Sequence, residues 1–575
     1  MIAYGPMRAR VLLAASLLAP SCTSREAPPK AEKLSVLLVT VDTLRADRLG
    51  CYGDGLARTP HMDALARAGT LFERAFSPAP VTLPAHASIL TGLLPPAHGV
   101  RGNGVFALPS GPVTLAEALR ARGLATAAFI GGFPLERRFG LARGFDHYDD
   151  AVSRAGGVQF SFAERRAGDV VGAAVRWLSA HPGPAFVWVH LFDPHAPYDP
   201  PAPFRGGDPY RGEVAAADAA IGSLMAAWDA RPGASLTALL SDHGEAFGEH
   251  REESHSLFVY DTTLHVPLVL RGPGIAAGRR VAAPAVGIED VAATLLARVP
   301  GAGPTVPGRD LLASGLAGAP LYGETLAPRL DFGWSDLRAW RSGRYKYIRA
   351  PRAELYDVEA DPGETRDLAG REPETARRLA SELEGALARL GESESRREAD
   401  PEAAERLRAL GYVQGPGGRG SGADPKDRVD VALAIARASG PFPDHAAAAR
   451  AYREIAALDP GNPLVSLRLA DALLRSGRPG EAVPFYEAVI ASGPRSADAF
   501  VGLATAYAST GRLDRARRTL ESGLAVDAGN GQLHFNLGEI ARTSGDAAAA
   551  RRSYEAALRD PVTRERARAR LDGLK

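Results

Sequence analysis

Two carboxylates, an imidazole and a hydroxyl lie just after apolar runs or at an expected helix start, where side chains can bind a metal ion or an anion. Asp42 follows one apolar run directly, and Asp242 and His243 come at the end of another. Thr82 stands just before Pro84, where a helix is expected to begin, so its side chain would lie beside free backbone N–H groups and the positive end of a helix dipole. These residue types bind metals and anions, and the carboxyl ends of parallel strands are where such groups meet.

Further histidines accompany this set. His86 comes four residues after Thr82, His195 follows a third apolar run together with Asp193, and His255 lies beyond His243. Taken singly, a threonine before proline is most often a helix cap, and a lone histidine is most often a hydrogen-bonded core or surface residue. The joint pattern favours a functional site. Asp193 and His195 leave open the alternative of a second metal site.

The runs before these groups predict the sheet that must position them. Ser35 to Val41 is a continuous apolar and β-branched run, as expected for a strand buried on both faces, and 185–192 and 234–240 have the same character. Helical patterns lie between the runs, at 59–69, 113–122 and 168–179. The segment 34–370 therefore predicts an α/β sheet sandwiched by helices, and its shorter strands within 321–368 predict a small antiparallel sheet at its end.

Beyond this segment the composition changes twice. Residues 371–411 have a charged, helical pattern, and 414–423 are rich in glycine, which predicts a flexible linker. The rest repeats itself every 34 residues, as Gly477, Gly511 and Gly545 show. Small residues at helix crossings and a glycine turn at this period resemble the tetratricopeptide repeat, a helix–turn–helix unit that stacks into an all-α solenoid.

Composition and charge exclude several classes of protein. The 575 residues contain 45% apolar and 23% charged residues, which is an ordinary globular balance. A net charge of +1 gives no reason to expect a nucleic-acid partner. Two cysteines exclude a disulfide framework and a four-thiolate metal cluster. The sequence has no run of about 18 apolar residues, so no spanning helix is expected in the mature protein.

The first residues predict an export signal. Arg8 and Arg10 precede a short apolar stretch that ends at Cys22, which resembles a bacterial lipoprotein signal in which this cysteine becomes lipidated. The alternative is a plain signal peptide cleaved nearby. Residues 1–22 are thus predicted to be the signal and 23–33 a tether, placing the protein in the periplasm or cell envelope with a lipid anchor as its membrane contact.

The α/β segment resembles the sulfatase family of the alkaline phosphatase superfamily. The resemblance rests on the stretches around Asp42, Thr82, His195 and Asp242, and on three more: Thr59-Pro60-His61-Met62-Asp63, Pro95-Pro96-Ala97-His98-Gly99, and Glu354-Leu355-Tyr356-Asp357 with Asp361-Pro362-Gly363-Glu364. It implies that Asp42, Asp242 and His243 bind one divalent metal ion (Ca, Mg, Mn or Zn). Thr82 would be its fourth protein ligand and the catalytic nucleophile.

The departures from the family pattern bear on the substrate. Sulfatases of this family carry a cysteine or serine that is oxidised to formylglycine, in the pattern Cys-x-Pro-Ser-Arg, and this chain has Thr82-Leu83-Pro84-Ala85-His86. Threonine cannot give that aldehyde, and a sulfated threonine would be a stable ester. A phosphorylated threonine can be released by in-line attack of water. Thr43 also replaces the second of the family's paired aspartates.

These observations predict a metal-dependent ester hydrolase. The domains expected are 34–370 (catalytic), 371–424 (helical segment and linker) and 425–575 (repeats). The substrate would be a small-molecule, glycan or lipid ester of phosphate, as a monoester or phosphodiester, or of sulfate, and the repeats would bind a protein or peptide partner. His86, His195 and His255 are the candidates for holding substrate oxygens and protonating the leaving group. The alternatives are a sulfuric ester hydrolase proper, a phosphotransferase to an alcohol, and a non-catalytic scaffold working through its repeats.

Overall fold

A mixed sheet forms the centre of the catalytic segment. The computed structural model describes residues 34–152, 164–396, 420–438, 442–493, 497–560 and 562–574, with the single residues 1, 406 and 415. The strands of the large sheet are β1 Ser35–Val41, β2 Thr70–Phe76, β3 Ala125–Ile130, β4 His147–Asp149, β5 Ala185–Leu191, β6 Ser235–Ser241, β7 His265–Arg271, β8 Arg279–Val281 and β9 Val286–Gly287. Their order is β4-β3-β5-β1-β6-β7-β2-β8, with β9 also paired to β2.

The helices of this segment cover both faces of the sheet. They are α1 Pro60–Arg67, α2 Thr82–Thr91, α3 Pro95–His98, α4 Leu115–Ala121, α5 Ala167–Ala180, α6 Pro209–Asp229, α7 Asp261–Leu264 and α8 Asp290–Leu296. Strand β1 is buried at every residue and pairs in parallel with β5 and β6. Its Val36 and Leu38 enter a core with α2, α4 and α8, and its Leu37, Val39 and Val41 enter a second core with α1, α5 and α6. The predicted helix–sheet–helix architecture is confirmed.

A second, antiparallel sheet follows. It contains β10 Leu321–Thr325, β11 Leu337–Ser342, β12 Tyr345–Arg349 and β13 Glu354–Asp357, paired in chain order. Helix α9, Ala327–Phe332, precedes β11, and α10, Pro373–Leu390, packs its Leu379, Leu383 and Leu387 on one face of the sheet. The predicted small sheet is confirmed, and α10 is the only α-helix described between 371 and 396.

The C-terminal helices pair as the 34-residue period predicts. They are α11 Val429–Arg437, α12 His445–Leu458, α13 Pro463–Arg475, α14 Pro479–Ala491, α15 Asp498–Ser509, α16 Leu513–Val526, α17 Gly531–Thr543, α18 Ala547–Ala557 and α19 Arg564–Asp572. Gly477, Gly511 and Gly545 have φ of 77°, 76° and 80°, so glycine suits the tight turn inside each helix pair.

The first repeat packs on the small sheet. One apolar cluster joins Leu337 and Ile348 of that sheet with Val429 and Ile435 of α11 and continues through the repeats. Trp334 donates from Nε1 to Asp459 Oδ2 at 2.8 Å in the turn before α13. At the end of the predicted linker, the Ser335 N–H donates to the Ala423 carbonyl at 2.9 Å. The described end of that linker is therefore held against the catalytic segment.

The predicted signal and tether, including Cys22, lie outside the described residues. Within the part of the chain that is described, no helix combines the length and the apolar character that crossing a membrane requires.

Candidate active site

Two neighbouring strands bring three of the predicted metal ligands together. Asp42 directly follows β1, and Asp242 and His243 directly follow β6, its parallel neighbour. Ligand atoms of these three side chains all lie within 4.8 Å of one another, and all three residues are fully buried. Among the described residues, no other set of three His, Cys, Asp or Glu side chains is gathered in this way.

The facing atoms of this cluster fit a cation. Asp42 Oδ1, Asp242 Oδ2 and His243 Nε2 are buried without a hydrogen-bond partner. His243 Nε2 is 3.5 Å from Asp242 Oδ2 and 3.7 Å from Asp42 Oδ1. His243 Nδ1 lies 2.9 Å from the Gly244 carbonyl, which can only accept, so Nδ1 donates and Nε2 is the nitrogen available to a cation. Three converging acceptors repel one another unless a cation lies between them, and ligand atoms on one cation are about 3.0–3.7 Å apart.

Burial makes the two carboxylates hard to ionise. Burial raises the pKa of Asp42 to about 6, against the lowering influence of His243. Burial, and then the nearby charge of Asp42, also raises the pKa of Asp242. A divalent cation would reverse this effect, because it stabilises the charged form of both groups.

Thr82 is the first residue of α2, two residues earlier than the helix start expected at Pro84. Proline at the third helical position costs no hydrogen bond, because the first N–H groups of a helix have no partner within it. The Thr82 side chain is fully buried and makes a hydrogen bond to Asp42. The next N–H, of Leu83, donates to Asn103 Oδ1 at 2.9 Å. The structure therefore brings Thr82 into contact with the predicted metal ligands.

His86 is held by protein groups at both ring nitrogens. Trp188 Nε1 donates to Thr40 Oγ1 at 3.0 Å, which leaves the threonine hydroxyl to donate to His86 Nε2, also at 3.0 Å. His86 Nδ1 then carries the proton and donates to the Thr82 carbonyl at 2.9 Å. Burial lowers the pKa of His86 to about 3. This neutral imidazole supports the first turn of α2, and its predicted contact with substrate stays a prediction.

His195 and His255 lie next to each other beside the cluster. The centroids of their rings are 5.1 Å apart, and that of His255 is 4.6 Å from that of His243. Glu245 joins this group: its Oε1 accepts from His255 Nδ1 at 2.9 Å and its Oε2 accepts from the Tyr198 hydroxyl at 3.0 Å. Burial lowers the pKa of His255, but the charge and hydrogen bond of Glu245 outweigh it and the net shift is upward. Burial also lowers the pKa of His195 well below its usual range.

Asp193 faces away from this arrangement. Its Oδ2 accepts from the Ala167 N–H at 2.8 Å and its Oδ1 is 3.5 Å from Arg166 Nη1. His195 Nδ1 is 2.6 Å from the Ala196 carbonyl. Both Asp193 oxygens thus have partners other than His195, and the second metal site left open by the sequence is not gathered among the described residues.

Two polar residues at the site, the buried His190 and the partly buried Asn103, escaped the sequence prediction. His190, on β5, is 3.3 Å from Asp42 Oδ2 through Nε2, and its Nδ1 has no hydrogen-bond partner. Asn103 holds the start of α2, as described above. His190 is the last polar residue before a strand end, a signal that could have found it. Asn103 lies in a loop 20 residues from Leu83, and no local pattern indicates that contact.

Thr43 has an unusual backbone. Its φ is 52°, in the left-handed region that a β-branched residue seldom adopts, and its N–H donates to Asp242 Oδ1 at 3.3 Å. The Thr43 hydroxyl is fully buried without a hydrogen-bond partner. A strained backbone of this kind costs about 1–3 kcal/mol and is typical of functional sites. The Thr43 hydroxyl is thus a neutral oxygen at the position where the resembled family has a second aspartate.

Comparisons with known proteins identify the two parts of the chain. Residues 35–302 match the family model described as Sulfatase. Residues 444–497, 473–537 and 531–559 match models described as Tetratricopeptide repeat. Residues 35–302 thus form a domain that matches the sulfatase family, and tetratricopeptide repeats follow it, as predicted.

Individual relatives cover smaller parts. Mouse steryl-sulfatase is 36% identical over 171 residues, which is 27% of this chain and 27% of the relative. Human iduronate 2-sulfatase is 48% identical over 64 residues, which is 11% of this chain and 12% of the relative. The chain thus spans about a quarter or less of the length of these curated relatives. The crystal structure of the phosphonate monoester hydrolase of Agrobacterium radiobacter superposes with a TM-score of 0.50 and 22% identity, covering 62% of this chain and 96% of the hydrolase. That likeness shows the fold.

Proposed function

We propose that the domain is a metal-dependent hydrolase of phosphate, phosphonate or sulfate esters that works through Thr82. The observation that carries the proposal is the hydrogen bond between the Thr82 side chain and Asp42, inside a cluster of three buried acceptors without partners. The names of the relatives support the reaction class, since they include sulfatases and a phosphonate monoester hydrolase.

Asp42, Asp242 and His243 would hold the metal ion, with Thr82 as the fourth protein ligand. A bound divalent cation supplies charge that stabilises the substrate oxygens and lowers the pKa of a hydroxyl. His190 supports this arrangement, since its Nε2–H holds Asp42 Oδ2 and so leaves Oδ1 turned toward the other acceptors. The ion remains one of Ca, Mg, Mn or Zn in this proposal.

The nucleophilic step follows from the position of Thr82. Its oxygen would form a bond to the central phosphorus or sulfur atom while the bond from that atom to the leaving oxygen breaks. Asp42, which already shares a hydrogen bond with Thr82, is placed to accept the hydroxyl proton. The positive end of the α2 dipole would stabilise charge on the equatorial oxygens.

The leaving oxygen then needs a proton. His255 is the best candidate for the donor, because Glu245 raises its pKa and fixes its ring. His195 lies against it and would hold a substrate oxygen. Attack of water on the Thr82 ester would return the threonine, and an alcohol in place of water would make the same site a phosphotransferase.

Phosphate or phosphonate esters are favoured over sulfate esters by the residue at position 82. The sulfatase names argue for sulfate, but threonine cannot become formylglycine, and a threonine sulfate lacks an aldehyde hydrate that could expel the group. A scaffold without catalysis is disfavoured, because the buried unpartnered acceptors would destabilise a protein that has no use for them.

Two wider proposals concern the setting of the enzyme. The protein would be exported and anchored through Cys22, since the basic start and short apolar stretch of residues 1–22 resemble a lipoprotein signal. The repeats would bind a protein or peptide partner, as stacked helical repeats commonly do.

The decisive test is a substrate screen on the purified, metal-supplemented protein. Aryl sulfate, phosphate monoester, phosphodiester and phosphonate esters should be compared with and without a chelator. We expect chelator-sensitive turnover of phosphorus esters, and a phosphoryl mass on the peptide containing Thr82 when a slow substrate is used. Turnover of sulfate esters alone would overturn the substrate class and leave the fold unaffected.

A further inference from the structure

In the segments that follow the predicted metal ligands, an exposed apolar ring lies next to an arginine with few partners. Phe247 is 39% exposed, one of the few large apolar side chains left so open among the described residues. The guanidinium of Arg48 lies 5.3 Å from the centroid of the Phe247 ring. Arg48 is six residues after Asp42, and Phe247 is four residues after His243. Both segments therefore continue directly from the strand ends that carry the predicted metal ligands.

Phe247 is rigidly held despite its exposure. Its N–H donates to Glu249 Oε2 at 2.6 Å, and Glu249 Oε1 accepts from Arg45 at 2.8 Å. Its ring packs edge-on against Tyr210 with centroids 4.8 Å apart, and against Tyr198 at 6.4 Å. Covering the exposed part of an aromatic ring is favourable, so a fixed and partly exposed ring is a ready contact for an apolar ligand.

The two arginines near this ring differ in what they bind. Arg45 is fully engaged: it binds both Asp47 oxygens at 2.8 and 2.7 Å, the Glu245 carbonyl at 2.8 Å and Glu249. Arg45 therefore connects the segment after β1 to the segment after β6.

The Arg48 guanidinium, in contrast, has few hydrogen-bond or ion-pair partners. Among the described residues its side chain makes one ion-pair contact, at 3.8 Å to Asp47, whose carboxylate is already shared with Arg45. Arg48 Nε is buried without a hydrogen-bond partner, and a quarter of the side chain is exposed. A guanidinium in this state is a donor for an anionic group, because it gains charge-assisted hydrogen bonds without breaking others.

We propose that Phe247 and Arg48 form a subsite for the leaving group of the substrate, and that this group is an apolar ring carrying an anionic substituent. This inference rests on the proposed ester hydrolysis and names the class of ester. The ring would contact the exposed part of Phe247, and the anion would take the unused donors of Arg48. A carboxylate and a sulfonate or sulfate share the chemistry that this guanidinium recognises.

The subsite can be tested by binding, independently of turnover. The probes are 2-naphthol, 6-hydroxy-2-naphthoate and 6-hydroxynaphthalene-2-sulfonate, titrated into the full-length protein by fluorescence. We expect both anionic naphthols to bind about tenfold or more tightly than 2-naphthol, because the anion adds charge-assisted hydrogen bonds to Arg48. The ratio between the carboxylate and the sulfonate tells which anion the subsite prefers.

Variants separate the two halves of the subsite. Arg48→Gln should remove the preference for the anionic probes and leave 2-naphthol binding unchanged, and Arg48→Lys should retain part of the preference. Phe247→Ala should weaken all three probes. Arg378→Gln is the matched control, because Arg378 is an exposed arginine on α10 with an ion pair to Glu382.

Equal binding of neutral and anionic probes to the wild type, or an unchanged preference in Arg48→Gln, would overturn the subsite. A failure of every ester in the substrate screen would instead overturn the proposed function, and the titrations would still report on the subsite.

Discussion

Glu245 accepts a hydrogen bond from His255 Nδ1 at 2.9 Å, and the two residues are buried beside the predicted metal ligands. Because the same carboxylate also accepts from Tyr198 at 3.0 Å, its position is fixed from two sides. The pair thus resembles the carboxylate–imidazole unit in which an acid orients a catalytic histidine and stabilises its charged form. In this protein it would orient the proton donor to the leaving oxygen.

Replacing Glu245 by glutamine should therefore reduce kcat by about a hundredfold, within the range of general acid catalysis. The loss should be largest for esters with poor leaving groups, because activated aryl leaving groups need no proton. Steady-state kinetics with a series of leaving groups measures this dependence. Tyr198→Phe removes the hydrogen bond from Tyr198 to Glu245 but keeps the one between Glu245 and His255, so kcat should fall less than in Glu245→Gln. An equal loss on all leaving groups would contradict the assignment of His255 as proton donor.

Catalysis should depend on the Thr82 hydroxyl. Thr82→Ala should lose at least about a thousandfold in kcat, or roughly 4 kcal/mol of barrier, because the nucleophile and a metal ligand disappear together. Thr82→Ser keeps the oxygen and should retain measurable activity. Asp242→Asn should weaken metal binding as well as turnover. Full activity in Thr82→Ala would refute the mechanism.

The affinity of the site for metal should respond to Thr43. Thr43→Asp adds a carboxylate beside Asp42 and Asp242, and aspartate tolerates positive φ better than threonine. We expect at least about a tenfold gain in affinity for a divalent cation, since affinity rises with ligand charge. Thr43→Asn is the control that keeps the shape without the charge. Competition with a coloured chelator measures both, and equal affinities of the two variants would show that this position does not face the ion.

The repeats and the catalytic segment should unfold together. Asp459→Ala leaves the buried Trp334 N–H without its acceptor and should lower the free energy of unfolding by about 2–3 kcal/mol. Asp527 is the matched control, since it accepts from Asn530 in the same turn two repeats later, and its replacement by alanine should cost about 1 kcal/mol. Calorimetry should show one transition for the wild type. Two separate transitions, with Asp459→Ala affecting only one, would contradict the shared core.

Stability at low pH should depend on Asp261. Burial raises the pKa of this carboxyl, but Arg341 and Lys346 outweigh it and the net shift is strongly downward. A depressed folded-state pKa contributes stability above the unfolded pKa of about 4, and this contribution is lost as pH falls below that value. Asp261→Asn should lower stability at pH 7 by about 3 kcal/mol and flatten its decline in acid, as urea unfolding from pH 7 to pH 3 would show. An unchanged acid slope would contradict this role.

The sequence predicted the parts of the site that strand ends carry. Asp42 and Asp242 follow apolar, β-branched runs that predict central strands, so their proximity was predictable. Glu245 and Tyr198 were visible as residues, but their contact across 47 positions depends on how two loops fold over the sheet edge. The same holds for Trp334 and Asp459, which are 125 residues apart. The glycine-rich composition of 414–423 predicts a flexible backbone. No local pattern reveals that the end of this stretch is bound by Ser335.

The alternation along β1 has a consequence for how the chain tolerates change. Val36 and Leu38 fill one core and Leu37, Val39 and Val41 fill the other. Asp42 follows Val41, the last residue of the strand. Deleting or inserting one residue in this strand would exchange both apolar faces and turn the carboxylate to the wrong side of the sheet. The length of β1 therefore fixes both which residues enter each core and where the Asp42 carboxylate lies. Length variation during evolution should accordingly be confined to the loops that flank it, never to the strand itself.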